Sequence, residues 1–160
     1  AMPLTPSIRL PAGARRGFTL IELGLSLALL AVLVGLAIPS WGGWKNKALT
    51  KKAVEDIVAI SAVVDQYLAD TGALPADLGA IGRASMADPW GRAYVYLPLI
   101  DANARGQARK DHSLVPLNSD YDLYSKGPDG ATAGPLTAQS SRDDILRANN
   151  GRFVGPASMY

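Results

Sequence analysis

Arg15-Arg16-Gly17-Phe18-Thr19-Leu20-Ile21-Glu22 opens a stretch that then runs from Leu23 to Trp44 without another charged residue. A segment this apolar is long enough to cross a bilayer, where an ionisable side chain costs roughly 2.5–3.5 kcal/mol on insertion scales unless it finds a partner. Glu22, alone at the start of such a helix, therefore asks for a cation. A cut after Gly17 would supply one, because it frees an α-amino group on Phe18.

Three other readings of this segment rest on the same residues. Arg15-Arg16-Gly17-Phe18 also fits a twin-arginine export signal, but such a signal, like an ordinary secretory one, has an uncharged hydrophobic region ending in a small-residue cleavage site. Here Glu22 interrupts the start, and Leu36-Ala37-Ile38-Pro39 follows. A plain single-span anchor leaves Glu22 without a role. Flanking charge does not decide orientation, since Arg9, Arg15 and Arg16 on one side face Lys45, Lys47, Lys51 and Lys52 on the other.

The residues Gly17, Phe18, Glu22 and Pro39 resemble the prepilin signal shared by type IV pilins and the pseudopilins of type II secretion. The resemblance implies cleavage between Gly17 and Phe18 by a prepilin peptidase, N-methylation of Phe18, and a helix that packs into a filament core with Glu22 neutralising the terminal amine of a neighbouring subunit. It also implies a single-pass protein of the bacterial inner membrane with a cytoplasmic N-terminus. An inner-membrane assembly platform would lift it into a homopolymer with other pseudopilins.

The chain has 160 residues, no cysteine, and 16 Lys+Arg against 14 Asp+Glu. One domain is the natural count. Loss of residues 1–17 would remove Arg9, Arg15 and Arg16 and leave 13 basic residues against 14 acidic ones, so the basic balance belongs to the leader and nucleic acid is not indicated. A cysteine-free domain in an oxidising compartment must be held by packing, metal or neighbours. Catalysis finds little support. His112 is the single histidine, in a polar loop; of the acid pairs, Glu55-Asp56 lies on a helix face and Asp143-Asp144 near the C-terminal loop.

Trp41 and Trp44, followed by Lys45 and Lys47, read as the interfacial belt where a membrane helix ends. Apolar residues then fall at Leu49, Ala53, Ile57, Ile60, Val64 and Tyr67 or Leu68, a three-and-four spacing that continues the helix to Leu68. Pro39 should kink or weaken it, because its ring removes one backbone bond and crowds the preceding turn. Asp70-Thr71-Gly72 supplies a stop. Beyond it, Ala93–Leu97 and Tyr121–Ser125 read as strands, Ser113–Leu117 as a short edge strand, and Asp101–Asp111 as a solvated hairpin loop. The expected fold class is α+β, type IV pilin-like: one long helix against a small antiparallel sheet with a C-terminal loop. The expected organisation is a leader at 1–17, a membrane-spanning or filament-core half-helix at 18–44, a periplasmic domain at 45–146 and a tail at 147–160.

A second resemblance lies in that domain. Asp88-Pro89-Trp90-Gly91, Tyr94, Tyr96, Tyr121-Asp122-Leu123-Tyr124-Ser125, Gly127, Asp129-Gly130 and Asp144-Ile145 follow the order of motifs in the major pseudopilin of type II secretion. Ala53-Val54-Glu55-Asp56-Ile57 and Gly72-Ala73-Leu74-Pro75 fall where that family has similar residues. The chain departs from the pattern in a longer loop from Asp101 to Asn118, a stretch from Ala131 to Ser141 that is less glycine-rich, and the residues after Arg147. The resemblance implies a C-terminal loop held by calcium, with Asp129 and Asp144 as ligands, Asp143 adjacent, and backbone carbonyls completing the set. Hard oxygens from separated segments suit calcium. Without metal, Asp129 makes a turn and Asp143-Asp144 caps a short helix leading to Ile145. Two functions remain open on these residues: a structural subunit of a periplasmic pseudopilus, or a type IV pilin of a surface filament.

Overall fold

The computed structural model describes residues 17–112 and 116–160; of residues 36–42 it describes the backbone alone. The chain divides into two units, one up to Gly42 and one from Gly43 onward.

Helix α1 spans Leu20–Thr71. Its start is a capping box, in which the Thr19 hydroxyl accepts from the Glu22 amide (3.2 Å) while the Glu22 carboxylate accepts from the Thr19 amide (3.2 Å) and hydroxyl (3.1 Å). Its end is a glycine stop: Gly72 takes φ +74°, open to a residue without Cβ, and its amide donates to the Leu68 carbonyl at 2.8 Å. The helix runs across Pro39, whose side chain lies outside the described residues.

In the second unit α1 is amphipathic, and the sheet explains why. Strands β1 (Val95–Pro98), β2 (Tyr121–Ser125), β3 (Ile145–Ala148) and β4 (Phe153–Pro156) form an antiparallel meander in chain order. The register pairs Tyr96 with Leu123, Ser125 with Ile145, and Leu146 with Gly155. Alternation sends Tyr121, Leu123 and Ile145 to one face, where they pack with Ala53, Ile57, Ile60 and Val64 of α1 and with Leu78 and Tyr94. All four α1 residues are fully buried, each isoleucine worth roughly 1.5–3 kcal/mol against exposure. The opposite face carries Leu146 and Ala148, covered by Leu117, Leu136 and Ala157.

Strand Tyr121–Ser125 has the bounds that its sequence predicts, and β1 begins two residues after the expected start. Three expectations differ from the structure. Within Asp101–Asp111, residues Ala102–Gln107 form helix α2, capped by Asp101, whose carboxylate accepts from the Ala104 amide at 2.7 Å; Ala108 and Arg109 behind it are buried. Residues 147–160 are not a tail: they finish β3, supply β4 and end in a 3₁₀ turn at Ala157–Met159. Asp143 and Asp144 lead into a strand rather than a helix. The strand expected at Ser113–Leu117 falls largely on residues outside the described ones, and Pro116 and Leu117 are not extended.

Candidate functional site

Two places carry the residues singled out from the sequence. At the N-terminal end, Gly17 and Phe18 precede the first turn of α1 and are exposed, Phe18 at 83%. Glu22 is exposed too, with its carboxylate engaged in the Thr19 cap. Leu20, Ile21, Leu23, Leu25, Leu29 and Leu30 are all more than half exposed, on every side of the helix. Such a surface is not a core face; it needs lipid or other helices. Among the described residues, no helix is long and apolar enough to cross a membrane. The expected span includes 36–42, whose side chains, that of Trp41 among them, are not among those described.

The second place is the C-terminal loop between β2 and β3. Asp144 is fully buried, and its Oδ2 accepts from the Arg109 guanidinium at 2.7 Å and from the Thr132 hydroxyl at 2.6 Å. Arg109, 4% exposed, also reaches the Thr132 hydroxyl and lies over the Tyr124 ring, 4.6 Å from its centroid. Its backbone amide donates to Asp122 at 2.6 Å, and Asn118 donates to the other Asp122 oxygen at 2.9 Å. Burial pushes the Asp144 and Asp122 carboxyls up, against the opposing pull of these donors.

At the near end of the loop the Asp88-Pro89-Trp90-Gly91 motif has a structural job. Asp88 Oδ1 accepts from the amides of Trp90 (3.0 Å) and Arg92 (2.8 Å), and its Oδ2 accepts from the Ser125 hydroxyl at 2.5 Å. This turn aims Arg92 at the loop. Its guanidinium donates to the carbonyls of Gly127 (2.6 Å) and Pro128 (3.1 Å) and fills the space where a Cβ on Gly130 would stand.

The chain is 33% identical over 138 residues to the type II secretion system core protein G of Klebsiella pneumoniae, a match that covers 82% of this chain and 92% of that protein. The chain belongs to the type II secretion system core protein G family. These are the major pseudopilins, and its role is that of a pseudopilin in type II secretion. Core protein G of Dickeya chrysanthemi is 34% identical, covering 72% of this chain and 79% of the relative; that of Aeromonas hydrophila is 37% identical, covering 71% and 83%. No family profile and no solved structure matches the chain.

For this pseudopilin the residues expected to bind calcium are distributed as follows. Asp129 is exposed and its Oδ1 accepts from the Ala131 amide at 2.7 Å, a local turn. Asp143 accepts from the Asp129 amide at 3.2 Å. Asp144 lies under Arg109. Among the described residues no three acidic, histidine or cysteine side chains converge to hold a metal. A calcium ion takes six to eight oxygens at about 2.3–2.6 Å. Here the buried carboxylate and the carbonyls of Gly127 and Pro128 already face guanidinium groups, whose charge would repel a divalent cation bound beside them. As arranged here, Asp144 Oδ2 and the two carbonyls are bound by arginine. One buried oxygen, Asp144 Oδ1, has no hydrogen-bond partner.

The sequence pattern did not point to Arg92 or Arg109. Arg92 directly follows Asp-Pro-Trp-Gly, a turn that reverses the chain, which was a usable signal. Nothing local marks Arg109, because its partners lie 13, 23 and 35 residues away.

Proposed function

We propose that the chain is a structural, non-catalytic subunit made as a prepilin. Prepilin peptidase cuts it between Gly17 and Phe18, Phe18 is N-methylated, and the protein waits in the inner membrane with its N-terminus on the cytoplasmic side. The assembly platform then raises it into a periplasmic homopolymer with other pseudopilins. The observation that carries this reading is the apolar surface from Leu20 to Val34, exposed on all sides of one protomer and headed by the single carboxylate of Glu22. In lipid, and later in a bundle of identical helices, that surface is buried and the carboxylate needs a positive partner. The new amine on Phe18 of an adjoining protomer would supply one.

Mass spectrometry of the protein isolated from its host's membranes tests this. The expected mature N-terminus is methylated Phe18. Protein in which Gly17 and Phe18 remain joined would end the proposal.

A further inference from the structure

We propose that Arg109 and Arg92 together hold the C-terminal loop of this pseudopilin where calcium was expected, so that the loop is pinned without metal. The two places where the chain departs from the family pattern in this region are in contact with each other. The long loop from Asp101 to Asn118 runs beside the stretch from Ala131 to Ser141: the Lys110 amide donates to the Gly134 carbonyl (3.1 Å), and the Leu136 amide donates to the Lys110 carbonyl (2.8 Å). That pairing carries Arg109 beneath the loop, onto Thr132 and Asp144. The insertion is thus the arm that delivers the cation.

Three physical features support the substitution, although Asp144 Oδ1 and Arg109 Nε keep no hydrogen-bond partner. A guanidinium forks, so one group can bind a carboxylate and a hydroxyl at once, and its flat face can rest on Tyr124. Arg92 takes the carbonyls of Gly127 and Pro128, oxygens of the kind that a calcium ion in this loop would use. The loop is further tied by Ser141, whose hydroxyl donates to the Ala133 carbonyl and accepts from the Ala133 amide, both at 2.9 Å. Beyond Asp144 the chain closes on itself, with the Ala157 amide donating to the Asp144 carbonyl at 2.8 Å. Pinning Asp144 therefore also seats the last turn of the chain.

The inference concerns the stability of the domain and stands whether or not the protein polymerises. Its test is thermal unfolding of the full-length protein in detergent, in millimolar calcium chloride and in excess EGTA. The wild-type melting temperature is expected to be the same in both, and calorimetric titration with calcium chloride is expected to show no stoichiometric binding. Arg109→Met is expected to melt about 8 °C or more lower in either buffer, because it strands a buried carboxylate. Arg109→Met combined with Asp144→Leu is expected to recover much of that loss. A melting temperature that rises with calcium, or an Arg109→Met protein as stable as wild type, overturns the proposal. If Arg109→Met does not accumulate, the wild-type comparison decides alone.

Discussion

The described stretch of α1 from Leu20 to Gly35 and the domain that begins at Gly43 deal with burial in opposite ways. In the first, Leu20 is 90% exposed and Ile21 81%, and the one charged side chain finds only its own helix cap. In the second, Ala53, Ile57, Ile60 and Val64 are closed against a sheet, and each buried arginine has its own aspartate and its own tyrosine. Arg147 lies 4.0 Å from the Tyr121 centroid and makes a bidentate pair with Asp120 at 2.6 and 2.8 Å; Arg109 lies 4.6 Å from the Tyr124 centroid and makes a single bond to Asp144, its other amino group reaching Thr132. The difference separates two jobs. The domain closes its own apolar core and pairs its buried arginines, while the apolar start of the helix is left bare until lipid or another protomer covers it.

The largest contrast should come from paired truncations. Ile57→Ala removes a fully buried side chain and is expected to cost about 2–5 kcal/mol in denaturant unfolding of the full-length protein in detergent. Leu30→Ala, in the exposed stretch, should leave that unfolding transition unchanged and reduce filament yield instead. A shift of similar size from both would erase the distinction. Arg147→Met is expected to cost about 2–3 kcal/mol by the same measurement, less than a fully buried pair because Asp120 is partly exposed.

Acid offers a smaller and sharper test. Burial raises the Asp122 carboxyl, so between its folded value and the ordinary value near ~4 the folded chain holds more protons than the unfolded one, and stability increases as pH falls through that window. Asp120 is the reverse: burial pushes it up, but the Arg147 pair and the Tyr121 amide outweigh this and hold it below the ordinary range. Its contribution is present at neutral pH and is lost below about pH 4. The melting temperature should therefore hold or rise from neutrality to about pH 5 and drop below about pH 4. A steady fall from neutrality would contradict these assignments.

How much of this was legible follows from the range of each interaction. The core face of α1 was readable because Ala53, Ile57, Ile60 and Val64 repeat at helical spacing, and Tyr121–Ser125 because aromatic and branched residues sit between turn formers. The β3–β4 hairpin carries a signal of its own: Asn149, Asn150 and Gly151 all take positive φ, and Asn-Gly between short apolar runs marks such a turn. Helix α2 was obscured by its six-residue length and by Gly106, although Asp101 is a recognisable N-cap. At Glu22 the need for a distant cation hid the nearer partner, since Thr19-x-x-Glu22 is itself a capping-box spacing. Arg109 could not be read from the sequence, because burial of a charge depends on partners that only the fold assembles.

The capping box also shapes the decisive experiment. Glutamine caps as glutamate does, so Glu22→Gln preserves the helix start and removes only the charge. The measurement is the amount of pseudopilus recovered by shearing cells that produce Glu22→Gln or wild-type protein, with the N-terminus of each checked by mass spectrometry. Cleavage after Gly17 is expected to be normal, with the protein retained in the membrane and little or no polymer. Polymer at the wild-type level from the uncharged variant would contradict that expectation.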